Sequence, residues 1–151
     1  MALSISKLNS FIFFKLPSAF FCGVRVKEIN EKECKATVTH RWINQNPFNS
    51  MYFAVQAMAA ELTTGALVMN EIQKSGHKIS MLVAHNKSSF TKKATGKITF
   101  VCQDADLVKE GIAKAIATGE GQTFWLKSVG HNANQVQVSE MWFEWTVRVK
   151  Q

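Results

Sequence analysis

The sequence has no CxxC pair. Its three cysteines, Cys22, Cys34 and Cys102, stand too far apart for a metal knuckle or a dithiol redox motif. An odd number without close pairs suits a reducing compartment, and each thiol reads as a small core filler or an inert group. A phosphate-binding P-loop and a dinucleotide glycine motif are also missing, and Ser88 and Ser89 lack a nucleophile elbow. The histidines His40, His77, His85 and His131 are scattered, and none has ligand spacing with another His, Cys or acid, so no metal is expected. There is no internal repeat, linker or low-complexity tract.

Long apolar runs are few. Phe11 to Phe14 follows Lys7, but this run is only four residues long before Lys15 and Pro17, and a signal h-region needs roughly 7–15. Met51 to Met69 is long enough to raise a membrane-spanning reading. Gln56, Glu61, Thr63 and Thr64 interrupt it, and Glu61 would lie near the bilayer midplane. No membrane association is expected, and the expected location is the cytoplasm.

What is present fits one globular domain spanning residues 1–151, with 46% hydrophobic and 19% charged residues. The formal net charge of +7 suits nucleic acid, anionic lipid or a phosphorylated small molecule. The basic residues are dispersed, however. The densest group is Lys87, Lys92, Lys93 and Lys97, with no RNA-binding aromatic signature beside it, so no nucleic-acid partner is expected.

Periodicity sets out the elements. Leu8, Phe11, Ile12 and Leu16 share one face of a short N-terminal helix that Pro17 helps to end. Val24 and Val26 alternate with Arg25 and Lys27, and Cys34, Ala36 and Val38 with Lys35, Thr37 and Thr39, which predicts a hairpin across the polar turn Asn30–Glu33. A long helix is expected over Ser50–Gln73, ending near Gly76. Strands are expected over Lys78–Phe90 and Gly96–Gln103. A short helix follows over Leu107–Ala117, capped by Asp104 or Asp106 and stopped at Gly119. Strands over Thr123–Val129 and Val136–Val149 complete the chain. In the last strand the apolar phase shifts from Val136 and Val138 to Met141, Phe143, Trp145, Val147 and Val149, which predicts a bulge near Ser139 or Glu140. The predicted class is α+β, a curved antiparallel sheet around one long central helix.

The segment Asn46–Gly65, NPFNSMYFAVQAMAAELTTG, carries the clearest functional signal. Its second half is nearly all apolar, yet Glu61 sits inside it. An ionised carboxylate in a dry core costs several kcal/mol unless compensated. The bland reading pairs Glu61 with a strand backbone or with Arg41. Asn46 and Asn49 read as turn and capping residues, Gln56 as a buried amide bonded to backbone.

This segment resembles the hotdog-fold thioesterase superfamily, in particular the phenylacetyl-CoA thioesterase-like branch and the domains of unknown function related to it. The pattern there is roughly Asn-x-x-Gly-Thr-Met-His-Ala-Gly-Ala-Leu-Phe-Ala-Leu-Ala-Glu. Laid on this chain without gaps, Asn46, Met51, Ala60 and Glu61 coincide with it. Leu16–Val26 also looks like that branch's approach to its first strand. Asn49 and Ala54 stand where the pattern has Gly, and Tyr52 stands where it has His.

The resemblance implies an acyl thioester substrate, carried by CoA or an acyl carrier protein, no further cofactor, and a homodimer or higher homo-oligomer. Glu61 would be general base or nucleophile, acting across the subunit interface. Free N–H groups near Tyr52, Phe53 and Ala54 would hold the oxyanion. Tyr52 and Asn46 would shape the corner, and Thr64 would orient the water or the carboxylate. Phe48, Asn49, Met51, Phe53, Gln56 and Met58 would line the acyl pocket, and Lys92 and Lys93 would meet phosphates. The alternatives are a hotdog protein that binds an acyl ligand without catalysis, and a hydroxyacyl-thioester dehydratase. The latter is suggested by Gln56-Ala57-Met58-Ala59, although an amide stands where that chemistry needs an acid.

Overall fold

The structure is a computed structural model that describes residues 2–150. Two helices open the chain, α1 (Ile5–Lys15) and α2 (Pro17–Phe21). Pro17 ends α1 as expected but also starts α2, where its fixed φ suits the first helical turn. Strands β1 (Arg25–Ile29) and β2 (Cys34–Thr39) form the hairpin. A 3-10 turn over Trp42–Asn44 leads to the long helix α3 (Phe53–Ser75). Then come β3 (Ile79–Phe90), β4 (Lys97–Cys102), α4 (Ala105–Thr118), β5 (Gln122–His131) and β6 (Gln137–Val149).

The strands form one six-stranded sheet in the order β1-β2-β4-β5-β6-β3, with every pairing antiparallel. Its concave face packs on α3, with Val26, Ala36, Val38, Ile98, Phe100, Leu126, Met141 and Val147 buried there. This is the predicted α+β arrangement, a curled sheet around a central helix. α3 starts three residues later than expected and ends at Gly76, whose left-handed φ of 70° makes the stop. Gly119 does the same for α4 with φ 71°. Asp104 is the N-cap of α4, but its carboxylate accepts from the Lys127 backbone N–H at 2.7 Å instead of capping the helix.

Three buried polar pairs fix α3 against the sheet. Thr63 Oγ1 meets Ser128 Oγ at 2.8 Å, Ser139 Oγ donates to Gln56 Oε1 at 2.8 Å, and the Trp145 indole N–H donates to Thr64 Oγ1 at 2.9 Å. Each satisfies groups that would otherwise cost free energy in the core. The phase slip in β6 is real: Gly130 pairs with Ser139 and His131 with Gln137, leaving Val138 as the extra residue. The bulge buries Val138 and Ser139 side by side, which brings the Ser139 hydroxyl to Gln56.

The two sheet edges differ. Along β1, the Asn9 side chain of α1 donates to Val26 C=O at 3.0 Å and accepts from Val26 N–H at 2.9 Å. Among the described residues no strand pairs with the outer edge of β3. Leu82, 66% exposed, and Phe90, 46% exposed, lie on it.

Candidate functional site

The turn before α3 is held by Asn46. Its Oδ1 accepts from Phe48 N–H at 2.9 Å and Ser50 N–H at 3.2 Å, while its Nδ2 donates to Ser50 Oγ at 2.9 Å. Asn46 therefore sets the shape of the corner. Asn49 adopts φ 57°, the left-handed region that glycine favours and asparagine tolerates best among the other residues. Asn49 thus holds a conformation that the glycine of the resembling pattern could also adopt. Asn49 does not line the groove described next.

Met51 N–H donates to Ala94 C=O at 2.8 Å and Tyr52 N–H to Asn44 C=O at 2.9 Å. The expected donor at Tyr52 is therefore spent on the fold. The N–H groups of Phe53 and Ala54, at the start of α3, have no partner among the described residues, and Tyr52 provides no side-chain cap. Two aligned donors at the positive end of a 23-residue helix are left open.

A groove of about 500 Å³ begins at Phe53 and is lined by Asn46, Phe48, Met51, Tyr52, Phe53, Gln56, Phe90, Lys92 and Lys93, among others, though not by Ala54. Its wall is mainly apolar, from Phe48, Phe53, Phe90 and the Tyr52 ring, which meets Phe53 edge-on at 5.1 Å. Gln56 Oε1 is held by Ser139, so the amide is bonded to a side chain rather than to backbone. Lys93 Nζ donates to Phe48 C=O at 3.1 Å, which closes one end of the groove. Phe90, Thr91 and Ala94 also line it and were not anticipated; Phe90 ends the alternation of β3, and only the return of that strand to the helix start brings it in.

The lysine group proposed from the sequence is dispersed by the fold. Lys92 and Lys93 reach the groove, Lys97 lies in a separate cleft, and Lys87 sits 5.2 Å from both the Trp125 and Trp142 rings.

Glu61 is not in the groove. From Ala54 to Glu61 the helix rises about 10 Å. The residues Phe53, Ala54, Ala57, Met58 and Glu61 form a partly exposed stripe along α3. Met58 is half-buried against the core on this stripe and does not line the groove. Neither a strand backbone nor Arg41 pairs with the Glu61 carboxylate among the described residues. The Arg41 guanidinium lies instead against Gly23.

Gly65 makes room for the Trp145 indole beside the carboxylate: a Cβ there would stand 3.1 Å from Trp145, and at an ordinary 3.4 Å from Glu61 Oε1. Burial beside this indole pushes the Glu61 carboxyl up to about 6. Thr64 Oγ1 donates to Glu61 C=O at 2.8 Å and accepts from Trp145. Its proton therefore goes to the main chain rather than to the carboxylate or to a water, and Thr64 holds the backbone and the indole around Glu61.

Among the described residues, no group of three or more His, Cys, Asp or Glu could hold a metal ion. No helix among them is long and apolar enough to cross a membrane.

Residues 6–147 match the family model described as a domain of unknown function, DUF4442. No curated protein matches the chain in sequence. Among solved structures, the chain is similar to a Pseudomonas aeruginosa protein of unknown function described as a probable thioesterase, at 19% identity and TM-score 0.86, covering 99% of each chain. It is similar to a protein of unknown function from Chlorobaculum tepidum at 14% identity and TM-score 0.83, covering 96% of this chain and 94% of that one. A thioesterase from Haemophilus influenzae aligns at 12% identity and TM-score 0.72, over 99% of this chain and 93% of that one. At these identities the likeness establishes the hotdog fold.

Proposed function

The chain belongs to the DUF4442 family, and we propose that this member hydrolyses acyl thioesters, with CoA or an acyl carrier protein as the carrier. The observation that carries the reading is one helix with two unpartnered N–H donors at its start and an unpaired, desolvated carboxylate two turns on. Similar folds in proteins described as thioesterases support it.

The thioester carbonyl would lie at the start of α3, its oxygen accepting from Phe53 and Ala54 N–H. The acyl chain would pack along Phe48, Met51, Phe53 and Phe90. Negative charge grows on that oxygen when water adds to the carbonyl carbon, and the two N–H groups with the helix dipole stabilise it there. Tyr52, with its side chain 47% exposed at the mouth, would close over the bound group.

A base some 10 Å along the same helix cannot reach this carbonyl. The open edge of β3 supplies the remedy. A second copy pairing along that edge would form a homodimer and bring the partner subunit's Glu61 to the groove. That carboxylate, ionised above about pH 6, would take a proton from water as its oxygen bonds to the carbonyl carbon. On collapse the C–S bond breaks, and the thiolate takes the proton back from Glu61. The products are a carboxylic acid and a free thiol.

The test is thiol release over a panel of acyl-CoAs with wild type and Glu61→Gln. Turnover that survives the substitution removes Glu61 as the base. A second reading, ligand binding without hydrolysis, draws support from Ala54, whose methyl stands where the family pattern has none. Saturable acyl-CoA binding with no thiol release would establish it. The dehydratase reading has no acid at Gln56, whose amide is engaged by Ser139.

A further inference from the structure

A second cleft, of about 510 Å³, lies on the convex side of the sheet and is lined by Gly23, Arg25, Lys27, Thr37, Thr39, Arg41 and Lys97. Four of these seven residues are cations and none is an acid. None of the four has an ion-pair partner among the described residues, although Lys35, Lys74 and Lys109 all do. We propose that this cleft binds a compact, multiply charged phosphate group, such as the bisphosphate end of a nucleotide, through Arg25, Lys27, Arg41 and Lys97.

The fold holds Arg25 in place before any ligand arrives, and Gly23 leaves room for Arg41 beside it. The Arg25 guanidinium stacks 3.8 Å from the Phe20 ring centroid, and its Nη1 donates to Phe20 C=O and Val24 C=O, both at 2.8 Å. Those bonds leave its Nη2 edge for another acceptor. Arg41 lies over Gly23, where φ is +93° and a Cβ would stand 2.5 Å from the Arg41 Nη2. Only glycine permits that approach. Burial, and then the Arg41 charge, lower the Arg25 guanidinium below its usual value, so the two cations repel each other across the cleft.

Lys27 is the extra residue of a bulge, since Val26 pairs with Ala36 and Glu28 with Lys35. The bulge turns Lys27 and Glu28 to the same side. Thr37 faces Arg25 across β1 and β2, and Thr39 faces Lys97 across β2 and β4. Both threonines line the cleft with the cations, and neither hydroxyl is hydrogen-bonded to another described side chain.

A cluster of guanidinium, ammonium and hydroxyl donors with no acid among them suits phosphate oxygens. The patch is short. One row further along the strands, Lys35 is taken by Glu28 at 2.9 Å and Glu33 at 2.7 Å. A polynucleotide running along the face would meet these carboxylates, so the charge pattern favours a small anion over a nucleic acid.

Lys97 is three residues beyond Ala94 of the acyl groove, so the Cα atoms of the two rims lie within about 11 Å of each other. If the proposed thioester chemistry holds, the cleft is within reach of the nucleotide end of a CoA thioester bound in that groove.

The test is calorimetric titration of the full chain with adenosine 3′,5′-bisphosphate and with inorganic diphosphate, for wild type, Arg41→Gln and Lys97→Gln. Both variants alter exposed side chains, and thermal denaturation checks that they fold. One saturable site is expected, weakened roughly tenfold by each substitution and weakened further by salt. Binding that the substitutions leave unchanged overturns the proposal. So does tighter binding of a single-stranded oligonucleotide that strengthens with its length.

This titration needs no turnover, so it stands even if thioester hydrolysis fails. With turnover, a rise in KM for an acyl-CoA but not for the matching acyl-pantetheine in Arg41→Gln identifies the ligand as the CoA nucleotide. A loss of bisphosphate or diphosphate binding with both KM values unchanged identifies a separate phosphorylated ligand in the same cleft.

Discussion

Replacing Glu61 by Gln is predicted to stabilise the protein at pH 8 and to leave its stability unchanged at pH 4. In the folded chain burial raises this carboxyl from an ordinary 4.5 to about 6, with no partner group contributing. Below pH 4.5 it is protonated in both the folded and unfolded states, and folding bears no penalty. As the pH rises through 6 the folded state must ionise a group that the unfolded chain has already ionised more easily. The cost, complete by about pH 7, is about 2 kcal/mol. Gln has the same shape and no charge, so the variant escapes it, and no hydrogen bond of the carboxylate is lost. For a chain of this length the gain corresponds to roughly 4–8 °C in Tm. Thermal and urea denaturation at both pH values, at one fixed protein concentration, measures it. A variant that is equally or less stable than wild type at pH 8 would refute the reasoning, because the carboxylate would then have a stabilising partner in solution.

If Glu61 is the base, kcat/KM for acyl-CoA hydrolysis should fall about tenfold per pH unit below about 6 and flatten above it; a level profile from pH 5 to 8 would rule out this group. Asn49→Val is expected to cost about 1–2 kcal/mol because a β-branched residue resists φ 57°, whereas Asn49→Gly should be near neutral; equal denaturation midpoints for the two would remove the left-handed turn from the account. Thr64→Val leaves the buried Trp145 N–H without its acceptor and should cost about 1–3 kcal/mol, seen in denaturation followed by tryptophan fluorescence. Burial pushes the Cys34 and Cys102 thiols up to about 12, so in native protein a thiol reagent at pH 8 should label Cys22 first; rapid labelling of all three without unfolding would contradict the packing.

How much of the site could be read from the sequence depended on the range of the interaction. The corner at Asn46 and the helix start were visible because they are local: Asn, Pro and Ser in a turn before an apolar run have few other uses. The oddity of Glu61 was visible for the same reason, as a charge inside an apolar period. That Tyr52 N–H is spent on Asn44, that Arg41 lies over Gly23 rather than near Glu61, and that Thr64 serves Trp145 across 81 residues were not visible. No local pattern encodes which distant group will face a given donor. The Lys87–Lys97 group shows the same limit: near neighbours in sequence, its members lie in three different environments because β5 and β6 separate β3 from β4 in the sheet order.

The sequence alone determined the fold class, the bulge in β6, the presence of an acid in the central helix and the element order apart from α2 and the 3-10 turn. Periodicity and chain chemistry act over a few residues, and these features are set at that range. Only the tertiary structure decided which helix N–H groups stay open, that the Glu61 carboxylate has no partner among the described residues, and that four cations without an ion pair among those residues converge on the convex face. Each depends on which strands lie side by side, and that order follows from packing the whole sheet around α3.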